Sequence, residues 1–150
     1  MTVAVVAADE QSAEPIDVER WSALAHGVLE AEAVAGTVEL SMLFVDEDTM
    51  AELNGRFRGK EGPTDVLSFP LDEPDGAVGE GTPSLLGDVV ICPTVARRNA
   101  AEHHRSYEDE LALLVVHGTL HLLGMDHLDD EEATAMEARE QALLARLHRP

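Results

Sequence analysis

Three histidines in the stretch His117-Gly118-Thr119-Leu120-His121-Leu122-Leu123-Gly124-Met125-Asp126-His127 are the residues of this chain best placed to do chemistry. Their spacings are four and six. On a helix, His117 and His121 stand one turn apart on one face, because side chains at i and i+4 stack above one another. Gly124 falls where such a helix would end and can take the left-handed conformation that turns the chain. That turn swings His127 back toward the other two. Three converging imidazoles make a three-coordinate metal site with one position open, which a catalytic zinc requires and a structural zinc lacks. Zinc lowers the pKa of a bound water to roughly 7, which suits hydrolysis of a peptide, an amide or a phosphodiester.

The neighbours of the histidines narrow that choice. In zinc peptidases with an extended three-histidine motif, the residue after the first histidine is a glutamate that serves as general base. Here it is Gly118, which has no side chain to take a proton, and the peptidase reading loses its base. Asp126 is a candidate for orienting a ligand imidazole or acting on the water, and equally a turn aspartate bonded to its own backbone. A phosphodiester substrate needs a cation where charge develops on the phosphoryl oxygens. Arg58, in a glycine-rich turn, is the candidate, since its fork can grip two of them. Thr64-Asp65 reads as a structural turn, His103 and His104 as surface residues, and His26 and His148 as histidines without a partner pattern. Cys92, before Pro93, reads as a small buried residue at a strand end.

The elements that position these residues follow from hydrophobic period and caps. Thr2 to Val6 predicts an edge strand, and Gln11 to Ile16 a loop. Asp17 caps a helix from Val18 to about Glu32, with Trp21, Leu24, Ala25, Val28 and Leu29 on one stripe. Thr37 to Val45 alternates as a half-buried strand. Asp46 or Asp48 caps a short helix, Thr49 to about Phe57, with Met50, Leu53 and Phe57 inward. Arg58 to Asp65 is a polar turn, Val66 to Phe69 a short strand, and Leu71 to Ser84 a long loop with the composition of a lid. Leu86 to Ile91 is a strand and Thr94 to His104 a helix. Capping boxes at Ser106/Asp109 and Asp129/Glu132 start two helices, about Tyr107 to Leu123 and onward to about His148. The first, nearly all apolar from Leu111 to Val116, is the central helix and carries His117 and His121. The class is α+β, one domain over residues 1–150, with a small mixed sheet packed by helices.

Composition bounds the rest. The net charge of −20 argues against non-specific nucleic-acid binding, which rests on Lys and Arg. Six of the ten basic residues nevertheless lie between Arg56 and Arg105, so a local basic face is compatible with the sequence. No apolar run is long enough to span a membrane, no basic residue precedes the short apolar N-terminal run, and Cys92 is the only cysteine. A cytoplasmic protein is expected.

Three blocks resemble those of the YbeY family of metal-dependent single-strand endoribonucleases. They are HGTLHLLGMDH, then FRGKEGPTDVLSFP from Phe57 to Pro70, and LLGDVVIC from Leu85 to Cys92. The resemblance covers about residues 37 to 128. It implies a zinc-bearing α+β fold distantly similar to metalloprotease catalytic domains. His117, His121 and His127 would hold one Zn²⁺, although three imidazoles also accept other divalent transition metals. Arg58 would be the family's important arginine, in a cleft near the metal, acting in catalysis with His117 and His121. Arg56, Lys60, Arg97 and Arg98 are the candidate RNA contacts. Met125 stands where the family often has Tyr, which removes a possible hydroxyl near the site. The implied activity is zinc-dependent cleavage of single-stranded rRNA, in 16S rRNA 3′-end maturation and late ribosome quality control, with the small ribosomal subunit and its proteins as partners and no membrane. A metal-stabilised ribosome-assembly factor without catalysis is the alternative, ahead of a metal-dependent amidase or peptidase.

Overall fold

The polypeptide alternates strand and helix as its hydrophobic periods demand. A computed structural model describes residues 2–34, 36–71, 84–125 and 129–148. In chain order these form β1 (Thr2–Asp9), α1 (Val18–Ala31), β2 (Thr37–Phe44), α2 (Glu47–Arg58), β3 (Val66–Pro70), β4 (Ser84–Ile91), α3 (Pro93–Glu102), α4 (Tyr107–Leu122) and α5 (Asp130–Leu147). Among the described residues the strands make one sheet in the order β1-β2-β4-β3. β1, β2 and β4 run parallel, and β3 joins the edge antiparallel to β4. This is the mixed α+β architecture that the sequence predicts.

The two sheet faces carry different loads. Val38, Leu40, Met42 and Phe44 of β2 point to one face, strictly alternating with less buried neighbours. Leu40, Met42 and Phe44, together with Val89 and Ile91 of β4, meet Trp21, Leu24, Val28 and Leu29 of α1 and the buried side of α4. The opposite face is smaller: Leu67 and Val90 pack with Met50 of α2, Val45, Cys92 and Val95. α4 is apolar nearly all round, with Leu111, Ala112, Leu114, Val115, Val116 and Leu120 all buried. Each fully buried aliphatic side chain contributes about 1.5–3 kcal/mol, so α4 is the largest single contributor to the core.

Caps fix the helix starts. Asp17, Asp46, Ser106 and Asp129 each accept a hydrogen bond from the backbone N–H three residues on. Asp46 rather than Asp48 caps α2, so that helix begins at Glu47, two residues earlier than its apolar pattern suggests. β1 runs on to Asp9, beyond Val6, because its parallel ladder with β2 continues to Phe44. Arg58 is the last residue of α2, before the left-handed Gly59, rather than part of the turn. Gly87 has φ +135, and a Cβ there would lie 2.2 Å from the Phe69 carbonyl oxygen, so the close pairing of β3 on β4 needs glycine. The expected lid within Leu71 to Ser84 lies mostly outside the described residues.

Several side chains read as solitary have partners. His148 Nε2 is 2.8 Å from Asp109 Oδ1, His26 Nδ1 is 3.0 Å from Glu30, and His103 Nδ1 is 3.3 Å from the buried Glu110. Arg139 grips Glu32 with two bonds, 3.0 and 2.8 Å, joining α5 to α1. Asp65 behaves as the turn residue expected: it accepts from the Val66 N–H at 2.7 Å and from Asn99 Nδ2 at 3.2 Å. Cys92 is fully buried, and burial pushes its thiol pKa up, which makes it unreactive. Phe57 is the clear exception to the helical pattern, and is 58 % exposed.

The Asp109–His148 contact ties the end of α5 to the start of α4 and gives stability a pH dependence. The bond from His148, then that from Ser106, holds the Asp109 carboxyl below the usual carboxylate range. A group with a depressed folded pKa stabilises above its ordinary pKa, and that stability is lost as pH falls through the folded value. Asp109 is solvent-accessible, so its contribution stays below about 1 kcal/mol. Asp109→Asn should therefore melt slightly lower than wild type at pH 7, with the gap closing in acid below the carboxylate range, as read by thermal denaturation at both pH values.

Candidate functional site

α4 presents its two histidines where the sequence places them, one turn apart. The imidazole centroids of His117 and His121 are 4.6 Å apart with an edge-to-face angle of 77°. The helix then closes with paired backbone bonds: Gly124 N–H to the His121 carbonyl at 3.0 Å and Met125 N–H to the Leu120 carbonyl at 3.1 Å. Gly124 has φ +97. This is the Schellman closure that a left-handed glycine allows, and it reverses the chain at the predicted point. Asp126 and His127 lie outside the described residues.

The two imidazoles face different surroundings. His117 Nδ1 is hydrogen-bonded to the carboxylate of Glu140 from α5, a residue only 5 % exposed. With a neutral imidazole and an ionised carboxylate, which only accepts, this bond puts the proton on Nδ1 and leaves the Nε2 lone pair free. Fixing the tautomer from behind is how carboxylates prepare imidazoles for metal binding. His121 lines a cleft of about 410 Å³ with Ser68, Pro70, Leu122, Gly124 and Met125. That volume lies within the roughly 300–1,000 Å³ range of small-ligand clefts. One wall is therefore the edge strand β3, and the floor is the end of α4.

Glu140 is the site residue that the sequence reading overlooked. Its signal is a carboxylate in register with Met136 and Leu143 on the buried stripe of α5. A charge at such a position calls for a buried partner, because an unpaired buried carboxylate is costly.

Gly118 has a role beyond the absent base. α4 presses so closely on the sheet there that a Cβ would lie 2.7 Å from Val89 Cγ1 and 3.3 Å from Ser68 Oγ. Ser68 Oγ donates to the Gly118 carbonyl at 3.1 Å across this contact. A side chain at 118 would project into the sheet.

The basic candidates separate. Arg97 is bonded to Glu14 at 2.6 Å and Arg98 to Glu47 at 3.1 Å, so both are engaged in ion pairs. Arg56, Arg58 and Lys60 are exposed around the end of α2. α2 packs on the opposite sheet face from α4, and the chain runs from Arg58, its last residue, through a short connection into β3.

A small mixed sheet under a central helix that carries paired histidines and a buried carboxylate partner defines an α+β protein with a prepared imidazole site. A family described as endoribonuclease YbeY matches residues 6–148. The chain is 49 % identical over 137 residues to the endoribonuclease YbeY of Thermobifida fusca, covering 90 % of this chain and 88 % of the relative. It is 44 % identical over 144 residues to that of Pseudomonas putida, covering 96 % and 87 %. The solution structure of TM1509 from Thermotoga maritima superposes with a TM-score of 0.63 at 30 % identity, over 98 % of this chain and 89 % of that one. The chain belongs to the YbeY family.

Two substitutions check the geometry. Gly118→Ala gains about 1 kcal/mol of helix propensity but must displace the stiff, buried Val89. Overpacking of this kind costs about 1–3 kcal/mol, so the variant should unfold at lower denaturant with an unchanged slope. If the histidine pair holds a transition metal, Glu140→Ala should weaken its binding by about 10–100-fold in a chelator-competition titration, and Glu140→Gln by less.

Proposed function

We propose that this chain is a single-strand-specific, metal-dependent endoribonuclease that acts on rRNA in 16S rRNA 3′-end maturation and late ribosome quality control. The observation that carries the reading is the histidine pair of α4, one imidazole held by Glu140 and the other opening on the β3-walled cleft, in a chain of the YbeY family. His117, His121 and His127 would hold one Zn²⁺. The donor chemistry fits: two imidazoles lie a helical turn apart, and His117 offers Nε2 because Nδ1 is engaged. Bound there, zinc supplies Lewis acidity and an activated water for phosphodiester hydrolysis.

The chain's own residues do the rest. Glu140 keeps the His117 ring in one orientation. Arg58, exposed at the end of α2, is available to bond phosphoryl oxygens in a fork. Gly118 directs no base at the reacting atoms, so proton transfer falls to another group, for which Asp126 is the candidate. No described helix is long and apolar enough to cross a membrane. The proposed place of action is the cytoplasm, on the small ribosomal subunit and its proteins.

The missing base at 118 and the net charge of −20 also favour a second reading, a ribosome-assembly factor in which metal only stabilises the fold. Metal content resolved by element, measured with cleavage of a single-stranded oligoribonucleotide before and after chelation, separates the two. The nuclease reading expects metal bound, cleavage lost on chelation, and His121→Ala reduced about 10²-fold or more in rate. Equal cleavage by wild type and His121→Ala would assign the activity to a contaminant. A folded, metal-free variant that still supports rRNA 3′-end maturation would favour binding as the role.

A further inference from the structure

Phe57 breaks the rule that its helix otherwise obeys. Met50 is fully buried and Leu53 half-buried beneath α2, yet the Phe57 ring is 58 % exposed at the last turn. It packs edge-on against Phe69 of β3, with centroids 5.2 Å apart and planes 68° apart. The Arg56 guanidinium stands 5.6 Å from its centroid, and Arg58 and Lys60 follow on the same short stretch. Arg97, Arg98, Arg105 and Arg139 are all in ion pairs with carboxylates. Among the described residues no such pair engages Arg56, Arg58 or Lys60. Residues 52–61 thus set three cations against Glu52 and Glu61, a locally positive stretch on a chain of net charge −20.

The geometry points to a nucleobase platform: one base of a single-stranded RNA stacks on Phe57 while Arg56 and Lys60 bond its backbone phosphates. This inference rests on the RNA reading above and adds the place where the strand is held. Aromatic faces with flanking cations bind single strands without sequence preference, because every base has a π-face and every nucleotide a phosphate. β3 connects the platform to the cleft. Ser68 and Pro70 line the His121 cleft, while Phe69 between them points to the opposite face. Among the described residues β3 is the edge strand, and it carries the cleft on one face and the Phe57 contact on the other. A protein partner fits less well, since it would need both an aromatic contact and a compensating anionic stretch, which RNA combines in each nucleotide.

Fluorescence anisotropy with a labelled single-stranded oligoribonucleotide, in the presence of chelator and with folding checked by circular dichroism, tests the platform apart from cleavage. Phe57→Ala should bind about 5- to 50-fold more weakly than wild type, and Phe57→Tyr should bind like it. An abasic oligomer of equal length should bind wild type and Phe57→Ala alike. Lys60→Ala should lower the slope of log affinity against log salt by about 0.7. Undiminished binding by Phe57→Ala, or an equal loss on the abasic oligomer, overturns the platform and leaves the RNA reading standing. A wild type that binds no RNA overturns both.

Discussion

The tight seat of α4 on the sheet at Gly118 is the constraint that the remainder of the structure obeys. With Val89 2.7 Å from where a Cβ would stand, only glycine lets the helix axis come this close. The Ser68 hydroxyl, bonded to the Gly118 carbonyl, registers the helix against β3. Because successive helical side chains are about 100° apart, this contact sets the roll of α4. With Gly118 turned to the sheet, His117 is turned toward α5 and His121 toward the β3 cleft. The same contact explains why a peptidase-type glutamate has no room at 118.

Much of the fold was legible because local rules and burial agree along the chain. The alternation of β2 and the stripe of α1 each have one apolar face, and each face is buried. Of the site, the spacing of His117 and His121 and the turn at Gly124 were legible, since both depend on backbone geometry within one helix end. Glu140 was not, because it meets His117 across 23 residues of sequence. Periodicity places a residue on a face but does not name its opposite number. Phe57 misled for a related reason: its period matches Met50 and Leu53, but its ring meets Phe69 of β3 edge-on and stays 58 % exposed.

Charge was legible as a total and not as a pattern. Arg97 and Arg98 looked as basic in sequence as Arg56 and Lys60, yet the first two neutralise Glu14 and Glu47. Only the tertiary pairing shows which cations remain to meet an anion. An acidic protein can therefore keep a small anion-facing surface if its other arginines are committed to carboxylates.

The Glu140–His117 bond makes α5 part of the site as well as part of the core. Arg139, the neighbour of Glu140, clasps Glu32, the cap at the end of α1. Any ligand that favours the held imidazole must by linkage also favour a docked α5, and the reverse holds equally. By the same linkage, a substitution that loosens the Arg139–Glu32 bonds would be felt at His117 to the extent that it undocks α5.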